Sequence, residues 1–283
     1  MKAMNDIFNF KRFGLYLASD IKSAAHSCSV SVILLGFSGI LADFILAFCA
    51  FVLEGEWVMP GNTVRFFLFV IFLLVACIII PIKCYGYVTD SNRGPAFAML
   101  PVSAAEKSAS MILVAGVAAP LLVVILYFAT DALATALFPE MGQPLLSSKG
   151  FLLNQILGDM AQAHSSSVEY TREFSSFVSY FLGYGWQAVK FCTTALYFLL
   201  GAIVFKKQKG AKSIAVLLIL SFVLSGVATP LFVGNDMSSL LDGTPEQPAS
   251  FFKALRISVE VLTIVLPLLL CGGIFYRVKS IKY

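Results

Sequence analysis

Charge is scarce in this chain: 13% of its 283 residues are charged, against 59% hydrophobic. Histidine is scarcer. His26 and His164 are the only two, and three long apolar runs separate them, an odd number of crossings that puts them on opposite sides of a membrane. They therefore cannot share a metal or a catalytic triad. There is no Gly-x-Ser-x-Gly elbow, no His-Glu-x-x-His and no carboxylate-histidine cluster. His164 beside Ser165, Ser166, Ser167 and Glu169 lacks hydrolase spacing and reads as solvated loop. The six cysteines, Cys28, Cys49, Cys77, Cys84, Cys192 and Cys271, form no Cys-x-x-Cys and lie in or beside apolar runs. They read as small membrane-buried residues, with neither disulfides nor zinc ligation expected. Gly210, Ala211, Lys212, Ser213 is only a fragment of a phosphate-binding loop. Any ATP chemistry thus belongs to another chain, with ATP and its magnesium held there. These absences argue against an enzyme and leave this chain no cofactor or metal of its own.

Apolar length is abundant. A helical crossing needs about 20 apolar residues, and six runs qualify, from about Cys28 to Val52, Phe66 to Ile82, Ser110 to Phe128, Phe181 to Phe205, Ile214 to Phe232 and Leu255 to Tyr276. Continuous runs are not the alternating strands of a membrane barrel. Nor is there enough polar surface to hide six such helices in a soluble core. The expected fold class is all-α: a polytopic membrane protein with six transmembrane helices.

Lys and Arg set the orientation. Fourteen of the 20 basic residues cluster at the two termini, the connection between the second and third runs, and the hairpin Lys206 to Lys212. The positive-inside rule places those segments, and both termini, in the cytoplasm. The net charge of +4 then reflects flanks facing anionic headgroups, not affinity for nucleic acid. The first apolar run follows a substantial polar stretch, so it is expected to be a retained helix and not a cleaved signal.

Residues 1–26 form a segment of their own in this reading, ahead of the six-span domain, residues 27–283. Ile7, Phe10, Gly14, Leu17 and Ile21 recur at helical spacing with Phe13 on the same arc, while Lys11, Arg12, Ser19, Asp20 and Lys22 take other faces. An N-terminal amphipathic helix in the cytoplasmic interface is expected; the other reading is a short helix packed on the protein. Outside the membrane, the one long connection is expected from about residue 129 to 179, with Gly150 to Ala163 as an amphipathic helix on the outer surface. Loops of this length usually fold or function.

The cytoplasmic connection, about residues 83–107, carries the most information. Asn92 to Pro95 is a turn by composition, Ala96 to Leu100 suffices for about one helical turn, and Pro101 ends it. Ser103 with Glu106 three residues on is a capping box for the next helix. By itself this is a well-made loop that starts a membrane helix. The order arginine, short apolar helix, Leu-Pro-x-Ser, x-x-Glu-Lys after the second of six spans resembles the type-2 ATP-binding-cassette permease family. Leu100, Pro101, Ser103, Glu106 and Lys107 match the pattern, and Arg93 stands where a basic residue is usual. The resemblance implies that this loop contacts a separate ATPase subunit, that an interfacial helix joins the contact, and that a second six-span chain completes the transporter in a bacterial inner membrane. The importer loop Glu-Ala-Ala-x-x-x-Gly is absent, which tilts the resemblance toward export of an unspecified substrate. The alternative from another class is a membrane scaffold or sensor that binds a partner through its external loops.

Asp43, Lys190 and Glu260 fall inside the expected spans. Each would cost on the order of 2.5–3.5 kcal/mol facing lipid at mid-bilayer, so all should face inward. Two arrangements fit: one interhelical ion pair with a neutral acid beside it, or a substrate-binding cluster. The orientation has a direct check. Single cysteines at Ser91 and Lys209 in a cysteine-free background should be shielded from an impermeant thiol reagent in intact cells, and one at Ser166 should label; labelling at Ser91 would reverse the topology.

Overall fold

The computed structural model describes residues 8–90, 94–141, 143–145, 184–233 and 247–281. Helix α1 runs unbroken from Phe10 to Glu54 over 45 residues, about 68 Å at roughly 1.5 Å per residue. Asn9 starts it by accepting the Lys11 and Arg12 amides on its side chain, and Gly55, at φ 77°, ends it. That left-handed stop suits glycine, which has no Cβ to clash. The expected boundary at residue 26 is therefore no break in the helix: residues 10–26 and the first apolar run are one rod.

Helix α2 (Asn62–Tyr85) passes through Pro81 and ends in a 3-10 turn, Gly86–Thr89. Helix α3 (Gly94–Met99) is the short apolar turn expected ahead of Pro101. Ser103 then caps α4 (Ala104–Met111), which continues through a π-helical segment, Ile112–Ala118, into α5 (Ala119–Leu137). This third long helix outruns its expected end near Phe128, so the connection that follows it begins at Phe138 and not at Ala129. The reason is Asp131, expected in that outer loop: it is buried and paired inside the bundle, which lets the helix carry it two turns further. The residues of the expected outer helix, 150–163, lie outside those described.

Helices α6 (Tyr184–Val204) and α7 (Lys209–Val233) form a tight hairpin, turned by Gln208 at φ 52°. Helix α8 (Gln247–Ser280) completes the described elements. Among the described residues, four helices are long and apolar enough to cross a membrane, Phe10–Leu53, Val64–Thr89, Ala104–Leu137 and Val261–Ser280. No strand occurs among them.

Helix α2 lies centrally, packed on α1 and α6, with α1 also against α5 and α6 against α8. Leu73, Ala76, Cys77 and Ile80 of α2 meet Met111, Val114 and Ala115, Ala195, Leu199 and Ile203 of α6, and Ile274 of α8 in one buried cluster. Cys28 of α1 and Cys84 of α2 stand against each other, their Cα atoms 6.4 Å apart, and Cys49, Cys77, Cys192 and Cys271 are free. The outer faces are apolar: Val30, Ile33, Leu34, Phe37, Leu41, Ile45 and Phe48 of α1 are all exposed. A continuous surface of this kind belongs against lipid, not water.

Helices α1 and α5 approach closely: a Cβ on Gly39 would stand 2.6 Å from the Tyr127 ring, and Thr130 Oγ1 donates to the Gly36 carbonyl at 3.1 Å. Small residues admit such contact in membrane bundles. Gly39→Ala should destabilise the detergent-solubilised protein by about 1–3 kcal/mol, since buried Tyr127 has nowhere to shift. Gly14→Ala, with nothing within 4 Å of its Cβ, should be neutral or slightly stabilising in the same thermal melt.

Candidate functional site

The connection between α2 and α4 is built around Glu106. Its amide donates to Ser103 Oγ at 3.2 Å, while its Oε2 accepts from the Ser103 amide at 2.9 Å. The expected capping box is present in both halves. The same carboxylate also receives the N-terminus of α1. Arg12 Nε donates to both oxygens at 3.2 and 3.0 Å, Arg12 Nη2 to Oε1 at 2.9 Å, and the Asn9 amide to Oε1 at 2.7 Å. Glu106 is 0% exposed, so its full set of partners replaces its hydration.

Lys107 turns inward as well, donating to the Phe97 carbonyl at 2.8 Å with its ammonium 5.0 Å from the Phe97 ring centroid. That contact folds α3 back onto the start of α4, and Phe97 meets Tyr87 edge-on. A turn deeper, Asp20 of α1 accepts from Tyr85 Oη at 2.7 Å and Ser110 Oγ at 2.5 Å, joining α1, α2 and α4. On the other flank, Lys209 at the head of α7 donates to Asp90 Oδ1 at 2.8 Å and to the Gly86 carbonyl. Thr89 Oγ1 lies 3.4 and 3.2 Å from the Ala202 and Phe205 carbonyls of the hairpin. The connection is thus fastened to α1 on one side and to α6 and α7 on the other.

What projects from it is apolar. Met99 is 81% exposed and Leu100 40%, and Pro101 is exposed beside them. Of the residues singled out by sequence, Leu100 and Pro101 sit on the surface, and Ser103, Glu106 and Lys107 are buried and hold the loop from within. Arg93 lies outside the described residues. The hydrophobic arc read on the N-terminal segment faces largely outward, with Phe10 and Ile21 exposed, while Arg12 and Asp20 form the inward polar face.

A second cluster lies at the other end of the bundle. Arg65, at the start of α2, is completely buried and pairs with Asp131 of α5: Nε donates to Oδ1 at 3.1 Å and Nη2 to the same oxygen. Nη1 donates to Asn62 Oδ1 at 3.0 Å and the Met141 carbonyl at 2.9 Å, and Asp131 Oδ2 accepts the Leu145 amide at 2.8 Å. Asp43, in electrostatic reach of both, is 4% exposed, and its Oδ1 has no hydrogen-bond partner among the described residues. Asp43 thus stands beside an ion pair made by Arg65 and Asp131, two residues outside the expected set of Asp43, Lys190 and Glu260. Lys190 is half-buried on α6, and Glu260 lies on α8 with its side chain outside those described. The signal for Arg65–Asp131 was present: one residue opens the second span and the other closes the third, so both stand at the same membrane face.

No family model, curated protein or solved structure matches this chain. The geometry of the two clusters therefore carries the functional argument. Arg65→Met should destabilise the protein by about 3–5 kcal/mol by stranding Asp131 in the bundle. Adding Asp131→Leu should recover a large part of that loss, short of all of it because the Leu145 amide loses its acceptor. Additive losses in a denaturation cycle on the purified protein would show that the pair contributes no coupling.

Proposed function

We propose that the chain is the membrane subunit of an ATP-driven exporter of the type-2 ATP-binding-cassette class, working with a separate ATPase and a second six-span chain. The observation that supports this best is the mounting of the 83–107 connection: an exposed apolar tip, Met99, Leu100 and Pro101, on a base fastened to α1, α6 and α7. A force applied at such a tip reaches several spanning helices at once, because Glu106 and Asp90 tie the base by charge-assisted bonds. In this reading Leu100 and Pro101, with Arg93, make the contact with the ATPase. Ser103, Glu106 and Lys107 keep the loop stiff enough to transmit.

The six-span count rests on adding α6, which contains the apolar helix Val189–Val204, and α7, a 25-residue helix, to the four long apolar helices. The basic residues place the connection and both termini in the cytoplasm. The outward apolar residues Phe10, Leu15 and Ile21 fit an N-terminal segment that touches the cytoplasmic interface. ATP and magnesium are held by the partner subunit, and the inner membrane of a bacterium is the setting.

Cysteines at Met99 and Leu100 should cross-link to an ATPase in native membranes. Arg93→Glu should reach the membrane in normal amount and fail to copurify that ATPase. The double replacement Ser103→Ala with Glu106→Ala, which removes a cap worth around 1–2 kcal/mol, should retain the ATPase with hydrolysis uncoupled from transport. If neither cysteine ever cross-links to an ATPase, the exporter reading fails and the scaffold or sensor reading replaces it.

A further inference from the structure

We propose that Asp43 is a proton-binding site, loaded in this arrangement of the bundle, and that its proton keeps Arg65 on Asp131. The cluster contains two carboxylates and one guanidinium. Arg65 commits Nε and Nη2 to Asp131 and Nη1 to Asn62 and backbone carbonyls, and Asp131 completes its own set with the Leu145 amide. The pair is closed, and Asp43 receives no hydrogen bond from it. The groups facing Asp43 are Arg65 from α2, and Asp131 and Tyr127 from α5; the Tyr127 hydroxyl lies 3.5 Å from the Arg65 carbonyl.

The walls around Asp43 are dry. One turn before it, Gly39 packs against the Tyr127 ring. One turn after it, Ala47 is sealed among Met59, Ala134 and Met141. An ionised carboxylate with an orphaned oxygen is costly in such a place. Neutralising it takes a cation, and a metal ion needs several oxygen ligands. Both Asp131 oxygens already serve Arg65 and the Leu145 amide, and no group of three His, Cys, Asp or Glu suited to a metal occurs among the described residues. A proton needs only the one oxygen: the carboxylate gains H⁺ and becomes a neutral acid, with no other bond made or broken.

The consequence is a competition. When the proton leaves to water, Asp43 becomes a second anion bidding for Arg65. Any transfer of Arg65 from Asp131 to Asp43 loosens α2 from α5 and draws Arg65 Nη1 off the Met141 and Gln143 carbonyls, so proton occupancy holds this end of the bundle shut.

The test is infrared spectroscopy of the purified full chain at about pH 7, where an ordinary aspartate is ionised. The difference spectrum of wild type minus Asp43→Asn should contain the carbonyl stretch of a protonated carboxylic acid, shifted down by ¹³C-aspartate labelling. Asp43→Asn should accumulate in the membrane, because the amide matches the neutral acid in shape. In Asp43→Glu the lost band should reappear under ¹³C-glutamate labelling. Absence of the acid band from the difference spectrum, its loss on adding sodium or potassium at constant pH, or failure of Asp43→Asn to accumulate would each overturn the assignment.

Discussion

Hydrocarbon offers a charge no solvent, so every ionic group in a membrane bundle has to find a counter-charge, hydrogen-bond partners or a proton within the protein. In this chain that constraint decides which residues face inward. Arg65, Glu106, Lys107, Asp20, Asp43 and Asp131 are buried while the flanks of α1 present Val30, Ile33, Phe37 and Leu41 outward. The result inverts the arrangement of a soluble domain, and the charges lie at the two ends of the apolar core: Arg12 with Glu106 at one, Arg65 with Asp131 at the other. Between them α2 and α6 meet through aliphatic side chains and small residues.

The two ends differ in how their accounts of charge close. At the Glu106 end the carboxylate collects a guanidinium and two backbone amides, and Asp20 a turn deeper accepts from two hydroxyls. At the Arg65 end one acid is surplus. The first is a fixed joint, suited to passing a displacement from a loop to α1. The second has an internal choice of partner, and a site with a choice is one that a small ligand can bias.

Local chemistry was legible in the sequence. The Ser103 and Glu106 cap, the short turn before Pro101, the Lys206 to Lys212 hairpin and the long apolar helices all depend on residues within a few positions of one another, where propensity and spacing speak directly. What was not legible was long-range. Arg12 and Glu106 are 94 residues apart, Arg65 and Asp131 are 66 apart, and Cys28 and Cys84 are 56 apart; no local pattern encodes which helices become neighbours. Asp131 was assigned to an outer loop because an acid after an apolar run ordinarily marks the end of a span. With Arg65 beside it, the same acid extends the span. The π-helical segment Ile112–Ala118 left no mark in composition, since Leu, Val, Ala and Gly there suit an α-helix equally well.

Glu106 also shows why a local reading undervalues a residue. Seen alone, its carboxylate serves one amide at the start of α4, a contribution of about 1 kcal/mol. In the folded chain the same two oxygens hold Arg12 and Asn9 at the head of a 45-residue helix. A cap at a helix start has fixed geometry, since the carboxylate must reach back to the residue that precedes the helix. That geometry presents the remaining lone pairs in one direction, and Arg12 meets them there. The strict local rule is thus what makes the distant contact specific: a carboxylate free to rotate would hold Arg12 less well, and an uncapped α4 would not place it at all. The position of the connection relative to α1 follows from a four-residue motif together with one arginine.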